Sequence, residues 1–198
     1  LRLFSVFFIS IRVFSSGLHF LNQRYMQRNQ KAARESLTTM TEMVFPNDTN
    51  GLNGLMGGRL LYWMDIVSAI AGQKHANSLV VTASVDNVSF SHPIKIGHVV
   101  TLKAQVTRAF STSMEVHIEV KAEDVPNGRI VESHRAFFTM VAVDMHGNKV
   151  KVPELVPETE EEKMLYDNAL QRRQLRLVLG GRLKPEEAHE LRSIFDIN

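Results

Sequence analysis

Hydrophobic and polar residues alternate along most of the second half of the chain, in four runs bounded by turn signals. Leu79 to Phe90 (LVVTASVDNVSF) ends at SHPIKIG, and His98 to Phe110 (HVVTLKAQVTRAF) ends at a Ser/Thr cluster. Thr112 to Asp124 ends at PNG and Arg129 to Asp144 at MHGN. Period-two alternation of this length with Gly, Pro and Asn between the runs predicts consecutive antiparallel strands. A fifth strand is predicted earlier, over Ser36 to Phe45 (SLTTMTEMVF), where β-branched residues partly alternate and Pro46 ends the run.

Between that strand and the other four, the period changes. Asn47 to His75 opens as an Asn- and Gly-rich turn, passes through Gly57 and Gly58, and continues as a helical pattern closing near Gln73 to Asn77. Leu60, Trp63, Val67, Ile70 and Ala71 fall on one side of it, a stripe suited to lying under a sheet. Asn53 is expected at positive φ, which Asn tolerates better than most residues. One strand, one long helix and four long strands predict an α+β layer, an antiparallel sheet wrapped on a central helix.

Asp65 does not fit an ordinary buried helix. It is expected on the side opposite the apolar stripe, among Gly58, Leu61, Ser68, Ala69 and Gly72, with no Lys or Arg at the positions three or four residues away. Either it faces solvent or a distant Arg, or it is a general base or nucleophile in a cleft. Gly57 and Gly58 favour the second reading, because free amides at a helix start accept developing negative charge. Seven or eight residues of helix separate them from Asp65, roughly 10 to 12 Å of rise. One small substrate cannot reach both on one chain, so the pattern suggests a site shared between two subunits. Asn50, in the loop before the helix, is either a turn residue or a holder of water or a carbonyl oxygen.

Composition narrows the choices. The 198 residues are enough for one domain with appendages, and the absence of Cys excludes a disulfide scaffold, thiol catalysis and Cys-based zinc sites. Absent too are the P-loop, the strand-linked GxGxxG, GxSxG and HExxH patterns, and the eight His residues show no ligand spacing. Neither a metal nor another cofactor is implied. Without residues 1–25, which hold Arg2, Arg12 and Arg24 and no acid, the formal charge falls from +2 to −1, so the pI near 9.0 does not point to nucleic acid.

Residues 1–34 are expected to stand outside the fold, as a leader or non-native upstream segment. Leu3 to Ile11 has the length of a signal-peptide core, the Arg and Ser enrichment resembles an organelle presequence, and Met26 offers an internal start. A stable membrane span is not expected, since Arg12 at a bilayer centre costs about 2.5 to 3.5 kcal/mol. The body is assigned to the cytoplasm, or to a mitochondrial-type organelle if the leader is a true presequence. Residues 158–198 are expected to form a helical extension, broken at Gly180-Gly181 and resumed after Pro185. It reads as a charged packing or assembly element, with the basic run QRRQLR as a solvated helix end.

Several motifs in order carry a resemblance: Asp48-x-Asn50, Gly57-Gly58, Met64-Asp65, TASVDNVSF, the Pro-Ile-x-x-Gly of residues 93–97, and FFTMVAVD. From about Glu35 to Pro157, and on into VPELVPETEEEK, the chain resembles the hotdog-fold acyl-CoA thioesterases of the broad-range bacterial and cytosolic animal type. The resemblance implies a five-stranded sheet around the long helix, a homodimer often assembled as a trimer of dimers, and hydrolysis of acyl-CoA to free acid and CoA. It implies roles for Asp65 as base or nucleophile, Asn50 as positioner, and the amides at Gly57 and Gly58 as carbonyl polarisers. Arg108, Ser111, Thr112 and Ser113 are candidates for the CoA phosphates, against the reading of an ordinary hairpin turn. Asn53 departs from the Gly found in many members, and the extension past Arg176 is not accounted for. Two other readings stay open, a dehydratase or hydratase on the same fold and a non-catalytic acyl-CoA-binding regulator.

Overall fold

The computed structural model describes residues 29–86, 88 and 92–192. Five strands form one antiparallel sheet: β2 (Thr38–Met43), β3 (Leu79–Asp86), β4 (Val99–Ala109), β5 (Ser113–Asp124) and β6 (Arg129–Val143), in the order β2-β4-β5-β6-β3. The helix α1 (Gly57–Ala76) lies along one face. This is the expected α+β arrangement, a sheet wrapped on a long helix.

The alternation seen in the sequence is what divides the sheet into two faces. Val100, Leu102, Ala104 and Val106 of β4, Met114, Val116, Ile118 and Val120 of β5, and Ala136, Phe138, Met140 and Ala142 of β6 are buried. They form one core with Leu60, Trp63, Met64, Val67 and Ala71 of α1. Asn77 ends the helix in the left-handed region, its N–H bonded to the Gln73 carbonyl, and Asn53 has φ 56° as expected.

Helix α1 is rolled relative to the expected stripe. Met64, Ser68, Gly72 and His75 are buried, whereas Ile70 is exposed. The buried arc is thus turned by about 60° toward Asp65. The cause is Gly72. A Cβ there would already touch the Val80 methyls at 3.5 Å and Met140 Cβ at 3.6 Å, so the helix lies close over β3 and β6 on that side.

The chain enters the fold earlier than expected. Gln30–Ala32 (β1) pairs in parallel with Glu154–Val156 (β7), Ala33 joins the core, and Lys31 Nζ donates to the Lys74 carbonyl at 2.6 Å and to Asn77 Oδ1 at 2.9 Å. Residues 30–34 therefore belong to the domain. Two three-residue strands paired across the length of the chain leave no periodic signal. Of the leader expected over residues 1–34, residues 1–28 lie outside the described residues. No helix among the described residues is long and apolar enough to cross a membrane.

The C-terminal extension forms α2 (Glu160–Leu179), a 3-10 turn at Pro185–Glu187, and the short α3 (His189–Arg192). Thr159 and Glu162 form a capping box at the start of α2. The helix covers the sheet face opposite α1, and its basic run is not a solvated end. Arg172 makes a forked bond to Glu115, with Nη2 2.7 Å from Oε1 and Nε 3.1 Å from Oε2. Arg176 pairs with both Glu115 and Asp86. Glu115 is fully buried and also accepts from the Thr107 hydroxyl at 2.8 Å, which a β-bulge between Val106 and Arg108 presents to it. A carboxylate placed there needs such partners, since an unpaired buried charge is strongly unfavourable.

Two consequences can be measured. Arg172→Ala leaves Glu115 with a reduced set of partners and is expected to destabilise the fold by about 3 kcal/mol, read from urea unfolding. Burial also holds His75 and His117 below the ordinary His value of 6.5. The folded chain keeps both neutral where the unfolded chain takes up protons, so their contribution is intact above about pH 6.5 and is lost as the pH falls below it. The melting temperature is expected to drop on acidification through that range, and His75→Gln to make the drop shallower.

Candidate active site

The loop before α1 is held by its own polar groups. Asp48 is buried; its Oδ2 accepts the Phe45 N–H at 3.0 Å and its Oδ1 accepts Arg59 Nε at 2.7 Å. Its carbonyl accepts the Met56 N–H at 2.9 Å, so Asp48 ties both ends of the loop to the first turn of the helix. The Arg59 guanidinium in turn lies over the Tyr62 and Trp63 rings.

Asn50 sits inside this loop. Its Oδ1 accepts the N–H groups of Leu52 at 2.9 Å and Gly54 at 3.2 Å. With Oδ1 so engaged, Nδ2 is the donor end of the same amide. No side chain caps α1, whose first residues are Gly57 and Gly58. Asn50 and Gly57 line one cleft of about 280 Å³, together with Leu55, Leu60, His92 and His134. The two expected donor groups are therefore brought together.

Asp65 does not line that cleft. It is half-buried at the edge of the buried arc rather than opposite it, and its Oδ1 accepts the hydroxyl of Thr82 on β3 at 2.5 Å. Thr82 also contacts the sulfur of Met140. β3 is an edge of the sheet, and Val81 and Val85 on it are exposed. The acid and the amides thus occupy two places on one chain, as the helix rise required. Thr82 was not among the expected site residues, although it opens the TASVDNVSF motif. The available signal was a strand hydroxyl beside the helix that carries an unpaired acid.

The phosphate candidates lie elsewhere. Arg108 is stacked 4.0 Å over the Tyr166 ring and donates to the Tyr166 carbonyl at 2.9 Å, so α2 occupies its guanidinium. The carbonyls of Ser111, Thr112 and Ser113 accept backbone N–H groups of Val152, Ala142 and Phe110. None of the four lines the cleft with Asn50.

A five-stranded antiparallel sheet around a long helix is the hotdog fold, and here the helix carries a half-buried acid and is preceded by an Asn loop and an uncapped glycine-led start. The thioesterase superfamily model matches residues 52–128. The chain is 42% identical over 139 residues to the uncharacterized acyl-CoA thioester hydrolase YkhA of Bacillus subtilis, covering 70% of this chain and 81% of that one. The acyl-CoA hydrolase of Staphylococcus aureus, solved with butyryl coenzyme A and coenzyme A, superposes with a TM-score of 0.70 at 36% identity, over 77% of this chain and 95% of that one. A hexameric acyl-CoA thioesterase superposes at 0.72 and 40% identity, over 74% and 94%. The chain belongs to the acyl-CoA thioester hydrolase family of the thioesterase superfamily.

The Staphylococcus aureus enzyme has also been solved with an aspartate, an asparagine and a threonine each replaced by alanine. In that enzyme the asparagine precedes the aspartate by 15 residues and the threonine follows it by 17. Asn50, Asp65 and Thr82 have the same spacings.

Asp48→Ala removes the buried acceptor of Phe45 and Arg59 together. It is expected to cost about 1 to 3 kcal/mol and to raise hydrogen exchange at the amides of residues 50–56.

Proposed function

We propose that the chain hydrolyses acyl-CoA thioesters to the free acid and CoA, at a site assembled from two subunits. The observation that carries this reading is the division of the site, with Asn50 and Gly57 in one cleft and Asp65 held by Thr82 against an edge strand outside it. The family membership and the matching Asn, Asp and Thr spacings support it. So do the exposed Val81 and Val85, which suit pairing of β3 with the same strand of a partner subunit. The hexameric relative favours further assembly of such dimers.

The chemistry follows from the geometry. Thr82 donates to Oδ1 of Asp65 and leaves Oδ2 to take a proton from water. That water attacks the thioester carbonyl, whose oxygen gains charge facing the amides at Gly57 and Gly58 of the partner subunit. The Nδ2 donor of Asn50 in that same subunit orients the water or the carbonyl. Collapse of the tetrahedral species breaks the C–S bond, and the CoA thiolate takes up a proton.

A second reading has one observation in its favour. His92 and His134 line the cleft with Asn50, a residue type suited to proton transfer in a hydratase or dehydratase. Incubation with 3-hydroxyacyl and enoyl thioesters decides between the two, since a hydratase adds or removes water without releasing thiol.

Asp65→Asn is expected to lower kcat by about two to four orders of magnitude with the melting temperature nearly unchanged. Thr82→Val is expected to have a smaller effect in the same direction. Thiol release from acyl-CoA substrates, followed with a disulfide reagent, measures both, and near-normal turnover of Asp65→Asn removes the acid from the reaction.

A further inference from the structure

The cleft that holds Asn50 and Gly57 is walled in part by two segments, residues 45–60 and 92–98, laced together through their backbones. The Leu55 N–H donates to the Ile94 carbonyl at 2.6 Å and the Ile96 N–H to the Asn53 carbonyl at 3.2 Å, and between these bonds Gly54 and Lys95 face each other in an antiparallel bridge. Gly54 lies so close that a Cβ built on it would touch Asn50 Oδ1 at 3.6 Å and the Ile94 carbonyl at 3.8 Å. The backbone of Lys95 is held on its other side as well. Its N–H donates to Nδ1 of the buried His98 at 3.3 Å, and its carbonyl accepts the His98 N–H at 3.2 Å. Lys95 is thus an exposed residue on a backbone fixed to the same unit that positions Asn50.

Charge in these two segments does not balance. They contain two permanent cations, Arg59 and Lys95, and one acid, Asp48. Asp48 is taken by Arg59 at 2.7 Å, and the Arg59 guanidinium also lies over the Tyr62 and Trp63 rings. The Lys95 ammonium has no ion pair and no hydrogen bond among the described residues. The hairpin from Arg108 to Ser113, expected to meet the CoA phosphates, does not line this cleft, and its arginine is held by Tyr166.

We propose that Lys95 binds a phosphate of CoA in the subunit whose Asn50 and Gly57 hold the thioester, an assignment that rests on the hydrolase reading. With the thioester carbonyl at the Gly57 amide, the rest of CoA leaves the cleft past its walls, and Lys95 is the cation those walls leave uncommitted. An exposed ammonium on a fixed backbone meets an anion without breaking an existing pair. Arg59 would have to leave Asp48, stranding a buried carboxylate. A lysine acts as a point charge and not as a planar fork, so the diphosphate and the 3′-phosphate offer it the same chemistry.

The test compares the full chain with Lys95→Gln on three thioesters of one acyl group, carried by CoA, by 3′-dephospho-CoA and by pantetheine. Lys95→Gln is expected to raise KM for the acyl-CoA about fivefold with kcat unchanged, because a contact made equally in the ground and transition states alters KM alone. KM for the acyl-pantetheine, which carries no phosphate, is expected to be the same in both proteins. Lys95→Arg is expected to restore the acyl-CoA value, and high salt to narrow the difference. A rise that survives loss of the 3′-phosphate assigns Lys95 to the diphosphate, and one that disappears with it assigns Lys95 to the 3′-phosphate. An unchanged KM for the acyl-CoA, or an equal rise for the acyl-pantetheine, overturns the proposal. Calorimetric titration with free CoA separates the two readings. Weaker CoA binding by Lys95→Gln with no thiol release from either protein overturns hydrolysis and keeps the phosphate contact, whereas normal release with unaltered CoA binding overturns the role of Lys95 alone.

Discussion

The close approach of α1 to β3 and β6 at Gly72 is the constraint from which the site follows. With no side chain at Gly72, the helix rests on Val80 and Met140, and the carboxylate of Asp65 comes within reach of the Thr82 hydroxyl. Any side chain longer than a methyl would lift the helix and part the two. The same contact explains how an acid can sit on a helix whose neighbouring positions are buried. Asp65 stands at the seam between helix and edge strand, half out of water, with one oxygen bonded and one available. Catalytic placement and core packing are in this sense one arrangement.

The other face of the sheet obeys different rules. Its strands present Gln105, Glu115, His117 and Glu119 beside Phe137, so α2 is held by charge and stacking. Arg172 lies over Phe137 and Arg173 over Phe110, each about 4 Å from the ring centre. Gln105 Nε2 donates to Glu162 Oε1 at 2.7 Å. Such contacts are directional. A buried ion pair adds little net stability compared with apolar packing, but it fixes position. The bidentate fork at Glu115 sets where α2 lies along the sheet, and through that where Leu175 and Leu179 project.

Much of this was legible in the sequence where a single local rule decided the outcome. Strand alternation, the Pro and Gly punctuation, the left-handed Asn53 and the end of α1 near Asn77 each rest on a few neighbouring residues. The separation of Asp65 from Gly57 followed from helix rise alone. What was not legible depended on distant partners. The pairing of β1 with β7 joins residues more than a hundred positions apart through strands too short to show a period. Arg172 and Arg176 look like a solvated basic run until Glu115 is placed beneath them. Arg108 likewise looked free until Tyr166 covered it. The roll of α1 escaped because a stripe counted from the largest apolar residues overlooks Ser68 and Gly72, which are buried for their smallness. Thr82 was in view within a motif, but only the bulge between Thr82 and Ser84 and the register with Met140 aim it at the helix.

The parallel pairing of β1 with β7 bears on how such a domain can be used in larger proteins. Glu154 N–H bonds to the Asn29 carbonyl at 2.8 Å, so the point where the backbone enters the fold is tied to the point where it departs for α2. A unit whose entrance and exit are stapled side by side can be inserted between other segments, or repeated head to tail, without prising its sheet apart.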